Sequence, residues 1–292
     1  MKKRSNIIIV VMIISTGIAM ALYADHLKNA IEPNPIRAYW GIEIVEGDEF
    51  VRELDISYSH LHVEYPKVSI DGRYENHIEL SGFAVAADMA DYDVCNDTLY
   101  IRYTDHLPKF VGRDAEVAVG VHVGGIGLRS ITVNGFGRIV IPVRPKGTGR
   151  DGKAVYRDDD RERYTMKFDT LDIVNGYVDM LLEGVSLNIH NKSNKNTMFN
   201  LQGQVEHVDF KYDNGGNIAV NAYTLDCGTA TINTDKNKAG LITGTIQLTV
   251  EDTLVANLYG EMDVDYYGDP EVTKYERSTG RVVHMYEHKP WD

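Results

Sequence analysis

The sequence predicts an all-β protein built as a β-solenoid, a stack of short strands, behind a hydrophobic segment at the amino terminus. Apolar and polar residues alternate over most of the 292-residue chain, as in half-buried strands. Glycine- and asparagine-rich corners recur at a degenerate spacing of ~20 residues, which is what one coil of a solenoid needs. No proline occurs from residue 146 to residue 269, a run of 124 residues, and stacked strands exclude proline because their amides must pair.

The corners support the same architecture. Eleven asparagines fall between residues 175 and 237, and asparagine tolerates left-handed corner geometry and can form ladders between coils. The corner motifs lie at residues 132–137, 173–176, 201–204, 212–217 and 258–261. An antiparallel sandwich with Asn-Gly turns is the alternative that these patterns leave open.

The amino terminus predicts export. Lys2, Lys3 and Arg4 precede 18 mostly apolar residues at 7–24. This is the pattern of a secretory signal or of a signal anchor, and residues 19–21 have the small-x-small form of a cleavage site. The apolar run is also nearly long enough to span a bilayer, so both interpretations stay open. Either one exports everything after the hydrophobic segment.

The predicted organisation has four parts. A signal peptide or signal-anchor helix occupies residues 1–30, and a β-rich half follows at 31–145. Residues 146–164 are glycine-bearing and charge-dense, which predicts a polar linker or long loop. The C-terminal solenoid half occupies 165–292.

Alternation predicts the individual strands. A bulge or break is expected after Ser59, where the apolar phase slips, and a short helix is expected at 84–90. The predicted strands span 54–64, 98–103, 116–123, 130–133, 138–143, 167–174, 177–182, 186–190, 205–212, 217–220, 229–233, 244–250 and 261–267.

Composition and motifs exclude several functions. Lys and Arg total 30 against 43 Asp and Glu, and the net charge of −13 argues against a nucleic-acid partner. Cys95 and Cys227 are too few for a disulfide framework or a four-thiolate zinc site; they either pair or stay as two buried free thiols, the favoured interpretation. The sequence has no nucleophile elbow, zinc-protease helix, P-loop or dinucleotide fingerprint, so neither an enzyme nor a cofactor is expected.

Three groups of side chains are candidates for a site. His60, His62 and Glu64 share one face of a strand and are weak metal candidates. Asp263 and Asp265 alternate in a strand. Such a carboxylate pair could cleave glycosides, although the simpler interpretation is a row of carboxylates that faces solvent. Five tyrosines on or beside strands could form an aromatic-polar binding stripe that stacks on sugars or pairs with another protein; half-buried tyrosines with wet hydroxyls are the alternative. They are Tyr212, Tyr223, Tyr259, Tyr266 and Tyr267.

Three segments resemble a known bacterial family. They are DTLYIRY at 97–103, VEDTLVANLYGEMDVDYYGDP at 250–270 and STGRV at 278–282. They resemble the DUF2807 group, described as the "putative auto-transporter adhesin, head GIN domain" family, and the likeness covers about residues 45–285. The resemblance implies an exported right-handed parallel β-helix, of a family frequent in Bacteroidetes-type envelopes, and brings no catalytic residues with it.

Together these features predict a non-enzymatic exported protein of the cell envelope. It would act as an adhesin, or as a surface or periplasmic scaffold, whose rigid face binds an envelope protein or a glycan. It would be membrane-anchored through its N-terminal segment, facing the periplasm or cell surface, or secreted if that segment is cleaved. A membrane-anchored sensor or regulator and a carbohydrate-active β-helix enzyme are the alternatives.

Overall fold

The computed structural model describes residues 49–64, 67–83, 90–103, 119–135, 137–142, 146–148, 154–193, 195–235, 237, 242–276 and 280–285. The hydrophobic segment at 1–30 and residues 84–89 of the expected short helix lie outside this part of the chain. Within it, no helix is long and apolar enough to cross a membrane. From Glu49 onward the chain forms one unit.

The first nine strands mix antiparallel and parallel pairing. They are β1 (Glu49–Asp55), β2 (His60–Glu64), β3 (Lys67–Glu75), β4 (His77–Phe83), β5 (Ala90–Cys95), β6 (Thr98–Tyr103), β7 (Val119–Ile126), β8 (Ser130–Asn134) and β9 (Arg138–Ile139). The pairs β1–β4, β4–β7 and β5–β6 are antiparallel, whereas the pairs β2–β6, β2–β8, β3–β7 and β3–β9 are parallel. The gap between β1 and β2 confirms the expected strand break near Ser59.

The segment expected to be a linker or long loop is partly regular structure. It contains two short strands that pair antiparallel, β10 (Gly147–Thr148) and β11 (Ala154–Val155). A helix, α1 (Asp158–Tyr164), follows them. Three aspartates in the first turn and two arginines in the last complement the helix dipole. The Arg163 Nε donates to the buried Asp71 carboxylate of β3 at 2.7 Å, so α1 is fastened to the sheet.

The second half is a run of parallel strands in register. They are β12 (Thr165–Val174), β13 (Tyr177–Asn191), β14 (Thr197–Tyr212), β15 (Gly216–Thr234), β16 (Ile242–Leu258), β17 (Glu261–Tyr267), β18 (Glu271–Glu276) and β19 (Val282–His284). The parallel register excludes the antiparallel sandwich in this half. Seventeen of the nineteen described strands join in one sheet, which is mostly parallel, so the all-β prediction is confirmed.

One ladder of buried side chains shows how the strands stack. Neighbouring strands contribute, in order, Leu99, Leu61, Ile131, Ile173, Ile189, Phe210, Ile232 and Ala256. All eight are buried, and burial of each large apolar member contributes about 1.5–3 kcal/mol. From Ile173 onward, successive members are 16, 21, 22 and 24 residues apart, which confirms the expected recurrence.

Asparagine side chains connect successive strands, as expected. The Asn257 side-chain amide donates to the Asn233 oxygen at 2.8 Å, and Asn188 donates to Asp172 at 2.8 Å. These bonds lie at outward positions, where the polar side chains would otherwise hydrogen-bond only to water. They fix the register of the stack from outside, as the apolar ladder fixes it from inside.

Candidate functional site

The alternation of buried and exposed residues slips in the middle of β12 to β16. In β14, for example, the buried Val205 is followed by two exposed residues, Glu206 and His207, before Val208 is buried again. The slips occur at matching heights, because Phe168, Gly184, Val205, Cys227 and Val250 are paired in register across the five strands. Each strand therefore presents extra outward residues along one line of the sheet.

These outward residues line a concave surface, here called the corner groove, with a volume of about 1320 Å³. It crosses five strands, which at the usual strand spacing is a length of about 20 Å. Seven carboxylates line it: Asp169, Asp172, Glu183, Glu206, Asp226, Glu251 and Asp252.

Few cations oppose these carboxylates. Arg129 and Lys167 also line the corner groove, and the Lys167 ammonium lies 3.5 Å from Glu183. His207 also lines it and hydrogen-bonds to Thr229 at 2.8 Å. The groove therefore has a negative potential, which attracts cationic ligands, repels anionic ones and does not oppose neutral ones.

The floor of the corner groove is tightly packed. A side chain at Gly184 would place its Cβ 2.5 Å from the Phe168 ring, and one at Gly228 would place it 3.0 Å from the Glu206 carbonyl oxygen. Val185 beside Gly184 is 40% exposed and offers an apolar contact. A preformed floor of this kind binds a ligand with little ordering cost.

Cys227 lies in this floor without the properties of a nucleophile. Burial, together with the charges of the nearby Asp226 and Glu251, raises the pKa of the Cys227 thiol to about 12. The thiol donates to the Thr249 carbonyl oxygen at 3.1 Å. Cys227 and Cys95 are both free, and Cys95 is exposed, which corrects the expectation of two buried thiols.

The predicted tyrosine stripe is only partly assembled. The Tyr223 and Tyr267 ring centroids lie 6.5 Å apart, and Tyr266 stacks on His284 at 5.0 Å. Tyr266 and Tyr267 pair with the middle of β16, whereas Tyr259 directly follows the end of that strand. The Tyr259 backbone amide donates to the Thr234 hydroxyl. Tyr212 is fully buried, because it occupies an inward position of β14, so its assignment to a binding surface is wrong.

The predicted metal triad shares a face but does not assemble a metal site. His60, His62 and Glu64 alternate with buried residues in β2, as expected. Their neighbours on β8 engage both rings: Ser130 lies 2.7 Å from the His60 Nδ1, and Asn134 lies 3.3 Å from the His62 Nε2. In the described part of the chain, no group of three or more histidines, cysteines, aspartates or glutamates could hold a metal ion.

Asp263 is unsuited to act as the general acid of a glycosidase. A hydrogen bond from the Arg281 guanidinium, 3.2 Å away, lowers the pKa of Asp263. The Arg281 backbone amide donates to the same carboxylate at 2.9 Å. Glycoside cleavage needs one carboxyl group whose pKa is raised, and Asp263 is shifted the other way.

The corner groove itself was missed by the sequence analysis. In the sequence, the corner groove is marked by a pair of polar or glycine residues in the middle of a strand, as in Glu206-His207, Gly228-Thr229 and Glu251-Asp252. Each pair looks like an ordinary strand end until the strands are aligned in their stacking register.

The fold is similar to that of a solved bacterial protein. A putative adhesin from Bacteroides fragilis is 13% identical with a TM-score of 0.58, and the match covers 84% of this chain and 100% of that one. A putative adhesin from Parabacteroides merdae is 14% identical with a TM-score of 0.47, covering 82% and 97% of the two chains. A putative lipid binding protein from Parabacteroides distasonis is 15% identical with a TM-score of 0.48, covering 82% and 98%.

Comparison with curated proteins gives no match. A family model, by contrast, matches residues 63–270, well over half of the chain. The protein therefore belongs to the DUF2807 family, described as "Putative auto-transporter adhesin, head GIN domain".

Proposed function

We propose that this protein is an exported, non-enzymatic, adhesin-like component of the bacterial envelope. In this proposal its parallel stack is a right-handed β-solenoid, and the corner groove is the binding face for an elongated partner that is neutral or positively charged. The observation that carries the proposal is the groove itself, which crosses five in-register strands and has seven carboxylates against two permanent cations.

The shape of the corner groove supports an elongated partner. A groove of about 20 Å that runs across the strands presents the outward side chains of a new strand every 4.8 Å or so. A polymer with a short repeat can make repeated contacts along such a surface without reordering it. The fixed backbone of the stack keeps the entropic cost of binding low.

The charge of the corner groove supports selection against polyanions. Seven carboxylates would repel nucleic acid, phosphorylated chains and acidic glycans at short range, and the net charge of −13 adds a weaker repulsion at long range. Neutral and basic polymers do not meet this barrier.

The properties of Asp263 and Cys227, the residues considered for catalysis, support a non-enzymatic role. The ion pair with Arg281 lowers the pKa of Asp263, and burial raises that of Cys227, which are the wrong directions for a general acid and for a thiolate nucleophile. The function proposed here needs no reactive group, only a rigid surface.

A cationic peptide tests the corner groove. Fluorescence anisotropy of labelled decalysine would be measured against the full-length chain in detergent. We expect the Glu206→Gln/Glu251→Gln variant to bind about tenfold more weakly than wild type, because two charges of the groove are lost. Added salt should weaken wild-type binding.

A matched variant separates the effect of charge in the corner groove from the effect of the protein's net charge. Glu261→Gln/Asp269→Asn also removes two charges, from exposed positions that do not line the corner groove. We expect it to bind within about twofold of wild type. Equal losses in the two double variants, or no wild-type binding, would overturn the proposal.

A further inference from the structure

A second, smaller pocket adjoins the corner groove. It has a volume of about 200 Å³ and shares Glu183, Gln204 and Asp226 with the groove. The segment that carries Tyr156 and Arg161 forms its other side. We call it the Tyr156 pocket and propose that it binds one uncharged, hexose-sized sugar unit, so that the elongated partner of the groove is a neutral glycan. This inference rests on the proposed function of the corner groove.

Two rows of side chains form the floor of the Tyr156 pocket. The first row is Leu181, Gln202 and Thr224, and the second is Glu183, Gln204 and Asp226; each row is paired in register on β13, β14 and β15. Leu181 is only 4% exposed although it precedes the exposed Glu183 by two positions on the same face. The segment around Tyr156 therefore covers this part of the sheet and turns an open face into a pocket.

The donors and acceptors of the Tyr156 pocket match a sugar. A sugar hydroxyl both donates and accepts hydrogen bonds, and the Gln202 and Gln204 amides offer both functions. Glu183 and Asp226 can only accept, and Arg161 can only donate. The Tyr156 ring adds an apolar face beside these polar groups, as sugar C–H groups require.

Other ligand classes fit the Tyr156 pocket less well. The carboxylates of Glu183 and Asp226 oppose a phosphate or another anion. A divalent cation would need a cluster of oxygen or nitrogen ligands, and the described residues assemble none. A lipid chain would need an apolar lining, whereas only Leu181 and Leu182 among the lining residues have aliphatic side chains.

Tyr156 is held in place before any ligand binds. Its hydroxyl hydrogen-bonds to the Gln202 side chain. Burial, followed by the charge of Asp179, raises the pKa of Tyr156, so the hydroxyl stays protonated at neutral pH. Burial also raises the pKa of Asp179. An aromatic ring held by a hydrogen bond to Gln202 reduces the entropic cost of capturing a small polar ligand.

Neutral tetrasaccharides test the inference. Calorimetry would measure binding of cellotetraose, maltotetraose, mannotetraose and chitotetraose to the full-length chain in detergent. We expect at least one to bind wild type, and Tyr156→Ala and Gln202→Leu to weaken that binding at least tenfold. Tyr275→Ala, which removes an exposed ring outside the pocket and outside the corner groove, should bind within about twofold of wild type.

Decalysine binding separates the possible failures. Both pocket variants retain Glu206 and Glu251, so unchanged decalysine affinity would show that they are folded. If decalysine binds wild type but no tetrasaccharide does, the sugar inference is overturned while the proposed function of the groove stands. If neither probe binds, both are overturned. If a tetrasaccharide binds the two pocket variants as tightly as wild type, the assignment to the Tyr156 pocket is wrong.

Discussion

Two buried tyrosines differ in what their hydroxyl groups contact. The Tyr58 hydroxyl lies 2.9 Å from the His77 carbonyl oxygen and 3.1 Å from that of Gly124. The Tyr212 hydroxyl has no hydrogen-bond partner among the described residues, although its ring is fully buried. We expect Tyr212→Phe to raise the free energy of unfolding by about 1 kcal/mol, because it removes an unsatisfied polar group.

Tyr58→Phe is the matched comparison for that prediction. It deletes a hydroxyl whose single proton is shared between the carbonyl oxygens of His77 and Gly124, so we expect a loss of about 1–2 kcal/mol. Urea denaturation of both variants gives the two signs directly. A destabilised Tyr212→Phe would show that its hydroxyl is satisfied in solution.

Asp71 makes stability depend on pH. Burial alone would raise the pKa of this carboxyl, but hydrogen bonds from Arg73 and Arg163 outweigh it and lower the pKa below the ordinary 3.8. A carboxyl whose pKa is lowered on folding stabilises the protein above the unfolded-state value, and that contribution is lost as pH falls through the folded-state value.

Asp71→Asn tests this dependence. We expect the variant to lose about 1–3 kcal/mol at neutral pH, toward the low end because the side chains of Arg73 and Arg163 are 46% and 36% exposed and can be solvated. The difference from wild type should shrink as pH falls below about 4. Urea denaturation across that range checks it, and a difference independent of pH would show that the charge of Asp71 is not responsible.

At the scale of the strand, the close approach of neighbouring strands depends on glycine at particular positions. Gly244 in β16 has a φ of +144°, and a Cβ there would lie 1.9 Å from the Ile218 carbonyl oxygen of β15. We expect Gly244→Ala to cost more than about 3 kcal/mol, because the two strands would have to separate. Gly127→Ala is the control: its φ is +83°, but nothing lies within 4 Å, so about 1–2 kcal/mol is expected. Equal losses, measured by thermal unfolding, would mean that backbone conformation and not contact sets the cost.

Strands were predictable where alternation is local. The strands expected at 98–103 and 261–267 are β6 and β17 with the same bounds. The segments expected at 177–182 and 186–190 are joined in β13, because backbone pairing with β14 continues through the residues between them. The antiparallel pairs β1–β4 and β4–β7 were not predicted, since such pairing depends on contacts distant in sequence.

The candidate site was less predictable than the strands. Glu206 and Glu251 lie 45 residues apart in sequence, and each alone is an ordinary exposed carboxylate. Their common groove follows from the stacking register, which a degenerate spacing of 16 to 24 residues does not fix. Tyr212 shows the converse error, because an aromatic residue in an alternating strand does not reveal which face is inward.

At the scale of the molecule, the parallel stack continues through both halves of the chain. Leu99, Leu61 and Ile131 from the first half are in register with Ile173 from the second. Among the described strands of this ladder, the order in the stack departs from the order in the sequence at the end where β6 precedes β2. A stack built this way presents a long side surface, where the corner groove lies, without requiring any domain to move.

Export to the cell surface can be tested with the two cysteines, because one is exposed and the other buried. A membrane-impermeant maleimide added to intact cells should label Cys95 if the protein lies on the outside of the cell. Cys227 should not react while the protein is folded, since it is buried and its pKa is raised to about 12. We expect Cys95→Ser to lose the label and Cys227→Ser to retain it. Labelling that appears only after the outer membrane is permeabilised would place the protein in the periplasm and contradict adhesion at the surface.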